Sequence, residues 1–176
     1  MSKKSSYKSL IITLLIIVAF VYGIILLAKA SLPKTEDMSV AYENQGNQHI
    51  AEGSTHGLYN SNPPSSGWHY ARWIDGGVYK DAVVDENVVH NLEHGDIWIS
   101  YKPDVSEDVI KVLEKFGGKY LIVSPRDAND KDIALVSWGR VDAFDVVDME
   151  SLKERVGDFI KRHDNKGPEK VRNVAR

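Results

Sequence analysis

The hydrophobic pattern of the chain divides into an uninterrupted apolar run near the N-terminus and an amphipathic remainder. The run Leu10–Ala28 contains no charged residue. As an α-helix rising 1.5 Å per residue, it would be about 28 Å long, close to the hydrocarbon thickness of a bilayer. A helix packed into a soluble core would instead carry a polar stripe. The pattern therefore predicts a transmembrane anchor over residues 10–28.

The charges around this run set its expected orientation. Lys3, Lys4 and Lys8 precede it, and no acidic residue lies among them. The positive-inside rule then places residues 1–9 in the cytoplasm and the rest of the chain outside it, as a single-pass protein of the cell membrane. Ala28-Lys29-Ala30 has the small-x-small form of a signal-peptidase site, so cleavage after its last alanine stays open. The apolar run exceeds the usual signal-peptide length, and we favour an uncleaved anchor.

Beyond the anchor, polar residues around Pro33 predict a tether over 29–48. A folded domain is expected over 49–164, followed by a charged tail over 165–176. Residues 53–77 hold five glycines and a Pro-Pro pair, so regular structure is not expected there. The same segment carries Trp68, Tyr70 and Trp73. A long loop rich in aromatic residues is more often packed and functional than mobile.

The second half of the chain has regular periodicities. Residues 96–101, 120–124 and 133–138 have the pattern of buried strands, and 141–144 is a short fourth strand or a continuation of the third. A helix is expected to begin near Asp104, which with Glu107 resembles a capping box, and to end at Gly117-Gly118. Apolar spacing predicts a last helix over 149–163, capped by Asp148. This order predicts an α+β fold, a small sheet with helices on one face and its first two strands parallel, preceded by a long irregular loop region.

Composition narrows the functional classes. A chain of 176 residues, 43% hydrophobic and 27% charged, is long enough for one domain and the anchor. The absence of cysteine excludes disulfides, thiolate-ligated zinc, iron–sulfur clusters and a thiol nucleophile. Residues 31–176 hold 18 basic and 25 acidic side chains, a formal net charge of −7. This acidic balance argues against a nucleic-acid partner, because DNA and RNA are also negatively charged. It is compatible with the binding of cations.

Histidines are concentrated in the least regular part of the domain. His56, His69, His90 and His94 are four of the six in the chain, and His90 and His94 are spaced to project from one face of a helix or a strand. In a helix Glu93 joins the same side. Gly95 would end a helix, so we expect a short helical turn leading into the strand at Asp96.

These residues predict a site for a divalent transition metal, or for a small ligand, formed by His56, His69, His90 and His94 with Glu93. Imidazoles with a carboxylate and no thiolate suit Zn²⁺, Cu²⁺, Ni²⁺ or Fe²⁺. Four imidazoles would close a structural zinc site, whereas three with an open position would permit hydrolysis. The two other histidines are expected to be ordinary surface residues, His49 at the edge of the tether and His163 on the last helix.

Two other functions stay open. The string His90–His94 matches H-x-x-E-H, the inverzincin peptidase pattern, which suggests a metal-dependent hydrolase with Glu93 as base. Against this, Gly95 cuts the helix short, and the downstream Glu169 lies in a tail that is expected to be loose. The other function is an interaction domain with a membrane or envelope protein partner, in which the histidines are structural. No nucleophile–base pair is identifiable, so enzyme activity is left undecided.

Several motifs in combination resemble a known bacterial family. They are Pro63-Pro64-x-Ser66-Gly67-x-His69, Gly77-x-Tyr79, Val89–Gly95, Ser137–Arg140 and Gly167-Pro168-Glu169. Together they are similar to the domain of unknown function 3105 family (DUF3105), over about His49 to Glu169. The resemblance implies an N-terminal membrane anchor followed by one extracytoplasmic domain, and it supplies no activity.

Overall fold

The computed structural model describes residues 3–169 and 171–172, with side chains from residue 7 onward. The chain forms two compact units, Met1–Lys34 and Thr35–Arg176. The first contains helix α1 (Lys3–Ser31), in which Tyr7–Ser31 is long and apolar enough to cross a membrane and has exposed side chains. A signal sequence near the N-terminus meets the same criteria. The predicted apolar helix is therefore confirmed, with bounds wider than its uncharged run.

The second unit is an α+β domain, as predicted. Its short strands precede its first helix, and its longer strands follow. In chain order the elements are β1 (Val40–Ala41), β2 (His49–Ile50), β3 (His69–Tyr70), β4 (Gly77–Val78), α2 (Asp85–Glu93), β5 (Ile97–Tyr101), α3 (Glu107–Glu114), β6 (Leu121–Pro125), β7 (Ile133–Ser137), β8 (Arg140–Phe144) and α4 (Met149–His163).

Six of these strands form one sheet in the order β1-β8-β7-β5-β6-β4. Strands β5 and β6 are parallel across α3, which confirms the predicted β-α-β unit. Strand β7 pairs antiparallel with both β5 and β8. The two edges are the short strands β1, antiparallel to β8, and β4, parallel to β6. Strands β2 and β3 pair in parallel as a separate two-stranded sheet.

Alternation along β5 divides the core between the two faces of the main sheet. Ile97 and Ile99 pack with α3 and α4 on one face. Trp98, which points the other way, packs with Val88 and Leu92 of α2. The expectation of helices on one face holds for α3 and α4 but was wrong for α2. The apolar positions of α2 fall within the histidine-bearing segment, where the sequence indicated only a short helical turn.

Two helix starts test the predicted caps. Helix α4 is capped as expected, because the Asp148 carboxylate accepts hydrogen bonds from the backbone N–H groups of Glu150 and Ser151. Helix α3 begins later than predicted. Its cap is Ser106, whose hydroxyl accepts from the Val109 N–H, so the proposed Asp104 cap was wrong. A serine side chain one residue before the helix reaches the first free N–H groups directly.

Residues 35–48, predicted as part of a tether over 29–48, belong to the folded unit instead. Strand β1 pairs with β8. The Thr35 backbone N–H donates to the Asp158 carboxylate on α4 at 2.7 Å, and the Asp37 carboxylate lies 3.3 Å from His163 Nε2. His163 is therefore a buried residue, and its expected surface position was wrong. The polar residues of this segment pair with α4, which a composition argument does not reveal.

The first residues of the predicted tail, 165–176, also fold back on the domain. The Asn165 N–H donates to the Gly95 carbonyl at 2.9 Å, and the Glu169 N–H donates to the Glu93 carbonyl at 3.1 Å. Gly167 permits this approach, since a Cβ there would lie 2.1 Å from the Glu93 carbonyl oxygen. Residues 170 and 173–176 lie outside the described residues. The segment is thereby fixed against the end of α2.

Candidate metal centre

Parallel pairing of β2 with β3 sets two histidines side by side. His49 and His69 are register partners, and their ring centroids are 4.8 Å apart. His69 is fully buried, whereas the His49 side chain is 49% exposed. The predicted packing of the glycine- and proline-rich loop is confirmed here, because the run from Pro63 to Gly67 that leads into β3 is buried.

The end of α2 supplies the other members. His90 and Glu93 lie in its last turn, and His94 is the residue that caps it. Gly95 follows with φ +86°, a conformation that ends helices, and β5 begins two residues later. The predicted helix-to-strand transition and the placement of Glu93 beside the two imidazoles are therefore confirmed. The helix itself is longer than the expected short turn.

The side chains of His49, His69, His90, His94 and Glu93, hereafter the histidine cluster, lie together. The His90 ring is nearly parallel to those of His49 and His94, with a centroid distance of 4.9 Å to each. The Trp73 ring lies edge-on to two of them, 5.3 Å from His90 and 5.9 Å from His94. Loop, strand and helix residues thus converge at one point.

Hydrogen bonds to the backbone fix the tautomer of three rings. Nδ1 of His69 lies 2.7 Å from the Gly67 carbonyl oxygen, and Nδ1 of His90 lies 2.7 Å from that of Tyr70. Nδ1 of His94 lies 2.6 Å from the carbonyl oxygen of Val171. A carbonyl oxygen only accepts, so each Nδ1 carries the proton and donates it. In the neutral ring the remaining nitrogen, Nε2, then bears a free lone pair.

These Nε2 lone pairs face other acceptors. Nε2 of His90 and Nε2 of His94 are 3.0 Å apart. Nε2 of His69 lies 3.1 Å from Oε2 of Glu93, and Nε2 of His49 lies 3.7 Å from the same oxygen. The second oxygen of Glu93, Oε1, is buried and has no hydrogen-bond partner among the described residues. A bound cation would turn facing lone pairs of this kind into ligands.

Burial keeps the His69 and His90 imidazoles neutral. Desolvation is the main reason that the pKa of His90 falls to about 4, and the neighbouring histidines contribute to this shift while the bond to Tyr70 opposes it. Desolvation also lowers the pKa of His69, against the opposing effect of Glu93. At neutral pH these rings therefore offer lone pairs instead of positive charge, which is the form that binds a metal ion.

Two overlapping sets of ligand atoms result. His49, His69 and His90 form one set, and His90, Glu93 and His94 form the other; within each, the ligand atoms all lie within 4.8 Å of one another. His90 belongs to both sets. These groups could hold a metal ion.

Two of the motifs that carry the resemblance, the one ending at His69 and Val89–Gly95, contribute members of this cluster. A family comparison identifies the same family. The model of the family described as Protein of unknown function (DUF3105) matches residues 49–175. The chain belongs to this family. No curated protein and no solved structure matches it. The family match begins at His49, the first member of the cluster, and confirms the expected family over the DUF3105 domain.

One predicted ligand lies elsewhere in the DUF3105 domain. The His56 Nε2 is 3.1 Å from the Glu86 carboxylate at the start of α2, and its Nδ1 is 2.7 Å from the Gly57 carbonyl oxygen. The hydrogen bond to Glu86 raises the pKa of His56. Neither ligand set among the described residues includes it. His56 therefore ties the loop to α2.

His49 is the residue that the sequence did not place in the cluster. It was assigned to the surface, and it is indeed half exposed, but its pairing with His69 brings it into the cluster. A two-residue parallel strand pair leaves no periodic signal, so the local pattern could not show it. The one available sign was that the family resemblance begins at about this position.

Glu169 lies near the cluster but on its outer side. Its carboxylate is 3.7 Å from Nδ1 of His94, the nitrogen that bonds to the Val171 carbonyl. It therefore faces away from the Nε2 atoms. The arrangement differs from one in which a downstream glutamate joins both histidines of H-x-x-E-H around one ion.

Proposed function

We propose that the DUF3105 domain binds a divalent transition-metal ion at the histidine cluster. The observation that carries this proposal is the arrangement of lone pairs: the Nε2 atoms of His69, His90 and His94 face acceptors, while each Nδ1 is held as a donor by a backbone carbonyl. A carbonyl that orients the outer nitrogen of a ligating histidine is a regular feature of metal sites. A cation would convert the facing lone pairs into ligands.

The sharing of His90 predicts one ion per chain. Its Nδ1 donates to Tyr70, so Nε2 is the one nitrogen it can offer, and an imidazole lone pair binds a single ion. Two nitrogens on one tetrahedral zinc ion lie about 3.3 Å apart, given Zn–N bonds of about 2.0–2.1 Å. The 3.0 Å between the Nε2 atoms of His90 and His94 approaches this separation. Zn²⁺, Cu²⁺, Ni²⁺ and Fe²⁺ all suit imidazole and carboxylate ligands.

The proposal includes a location. The basic residues before the apolar run Leu10–Ala28 support an anchor with a cytoplasmic N-terminus, which puts the DUF3105 domain outside the cytoplasm in the aqueous phase beside the membrane. The acidic balance of residues 31–176 favours the approach of cations to that domain.

Metal content of the purified chain tests the proposal. The full chain, carried on a tag without histidine and kept in detergent, is equilibrated separately with each of the four ions, desalted and analysed by elemental mass spectrometry. We expect about one ion per chain for at least one metal, and near-complete loss in His90→Ala.

His56→Ala is the matched control, because His56 also donates Nδ1 to a carbonyl but lies outside both ligand sets. It should retain the ion. Substoichiometric binding of all four metals by the wild-type chain, or full retention of metal by His90→Ala, would overturn the proposal.

A further inference from the structure

The histidine cluster is buried unevenly. His69, His90 and Glu93 are at most 3% exposed, and His94 is 8% exposed. The His49 side chain, in contrast, is 49% exposed, although its ring stacks on His90 and its Nε2 points toward Glu93. An ion held by the ligand set His49, His69 and His90 would therefore have His49 on its solvent side.

His49 is also the least constrained ring of the cluster. Within the described part of the chain, its ring nitrogens make no hydrogen bond to a backbone carbonyl, unlike those of His69, His90 and His94. Its 3.7 Å approach to Glu93 is longer than a hydrogen bond. The ring can therefore turn away from the cluster without breaking a hydrogen bond, whereas each buried ring would leave a carbonyl unsatisfied.

We propose that His49 is the exchangeable ligand through which the ion enters and leaves, so that the metal is cargo passed to an acceptor and not a permanent structural ion. This inference rests on the proposed metal binding. In the exchange step a donor atom of the acceptor, such as an imidazole nitrogen or a carboxylate oxygen, forms a coordinate bond to the ion as the bond to His49 Nε2 breaks. His49 leaves as a neutral ring, and neither the oxidation state of the metal nor any covalent bond changes.

The rate of metal release tests this role. The metal-loaded full chain in detergent is mixed with excess chromophoric chelator in a stopped-flow instrument, and wild type is compared with His49→Ala. We expect His49→Ala to keep about one ion per chain but to release it about tenfold faster or more, because the solvent side of the ion is open to the incoming chelator. Millimolar free imidazole, which can occupy the vacated position, should restore slow release to His49→Ala.

Controls separate this inference from the proposal beneath it. His56→Ala should release metal at the wild-type rate, and His49→Gln, which keeps a polar side chain at a half-exposed position, should repeat the result of His49→Ala. If wild type binds metal and His49→Ala releases it at the wild-type rate, the exchange role is overturned while metal binding stands. If His49→Ala and His49→Gln both lose the ion, His49 is a core ligand, and the exchange role is again overturned. If wild type itself binds no metal, the proposed function fails first.

Discussion

The Nε2 atoms of His90 and His94 lie 3.0 Å apart, although each ring already donates its Nδ1 proton to a backbone carbonyl. Two neutral rings in this arrangement direct lone pairs at each other. The contact is unfavourable in a buried setting until a metal cation lies between them, because burial disfavours the protonated form of His90. Holding these rings together therefore lowers the stability of the metal-free fold, and such locally unfavourable arrangements are typical of ligand-binding sites.

The first prediction concerns Glu93, whose Oε2 faces the lone pair of His69 at 3.1 Å. In Glu93→Gln an amide N–H can donate to that lone pair, and the buried charge is removed. We expect the metal-free protein to gain about 1 kcal/mol in free energy of unfolding. Metal affinity should fall about tenfold or more, since a neutral amide is a poorer ligand than a carboxylate. Chemical denaturation and a competitive chelator titration measure the two effects.

Glu86→Gln is the matched control for this change, because Glu86 contacts His56, outside the ligand sets. It should leave metal affinity unchanged. A Glu93→Gln protein that is less stable without metal would show that His69 and Glu93 already share a proton, and it would remove the lone-pair argument at this contact.

The second prediction is a loss of stability on acidification of the metal-free protein. The pKa of His90 is about 4 in the fold and near the ordinary 6.5 when unfolded, so the unfolded state binds the proton first. Stability is thus fully present above pH 6.5 and declines as the pH falls toward 4. Between pH 7.5 and 5.0 this residue alone should account for about 2 kcal/mol. His69 and His163, whose pKa values are also lowered by burial, act in the same direction.

Denaturant unfolding at a series of pH values measures this slope, with His90→Gln as the comparison. The variant should show a shallower decline over the same range, whatever its absolute stability. Equal slopes in the two proteins would mean that His90 is not buried as a neutral ring. His56→Gln should instead show a steeper decline on acidification than wild type. The raised pKa of His56 contributes stability below pH 6.5 that is lost as the pH rises through its folded value, and the variant lacks this contribution.

How far the sequence predicts this molecule depends on whether the signal is local. Strand β5 was predicted from the alternation of Ile97 and Ile99 with Trp98, and α4 from its apolar spacing and the Asp148 cap. The proximity of His90, Glu93 and His94 followed from helical spacing alone. Pairing between distant segments gave no such signal.

The contrast between His49 and His56 shows what is mispredicted when contacts between distant segments have no local sequence signal. Both histidines lie before α2, the first helix of the DUF3105 domain, and loop composition favoured His56 as a ligand. The pairing of β2 with β3 and the hydrogen bond of His56 to Glu86 decide otherwise, and both depend on the folded chain. The segment 35–48 was misjudged for the same reason, since its partners lie on β8 and α4.

The third prediction concerns Gly167, which lets the C-terminal segment cross the end of α2. A Cβ at this position would lie 2.1 Å from the Glu93 carbonyl oxygen and 2.4 Å from the Gly95 nitrogen, both backbone atoms. Gly167→Ala should therefore displace residues 165–169 and remove the hydrogen bonds to Gly95 and Glu93, a loss of about 1–3 kcal/mol. Thermal unfolding in detergent measures it.

Gly157→Ala is the opposite control. Gly157 lies inside α4, and a Cβ there meets nothing within 4 Å. Alanine in a helix interior is more favourable than glycine by about 1 kcal/mol, so this variant should be more stable than wild type. An unchanged melting temperature in Gly167→Ala would show that the C-terminal segment does not hold the end of α2.

The last prediction is the topology of the anchor. Three lysines precede the apolar run Leu10–Ala28, so a phosphatase that is active only outside the cytoplasm should be active when fused to the C-terminus. A fluorescent protein that folds only in the cytoplasm should stay dark at the same position. In the chain without a fusion partner, an uncleaved anchor should give a mass of 19.7 kDa by mass spectrometry. Cleavage after Ala30 would instead give a shorter product that starts at Ser31. Replacing Lys3, Lys4 and Lys8 by glutamate should reduce phosphatase activity. Cytoplasmic fluorescence from the wild-type fusion would place the histidine cluster inside the cell and contradict the proposed location.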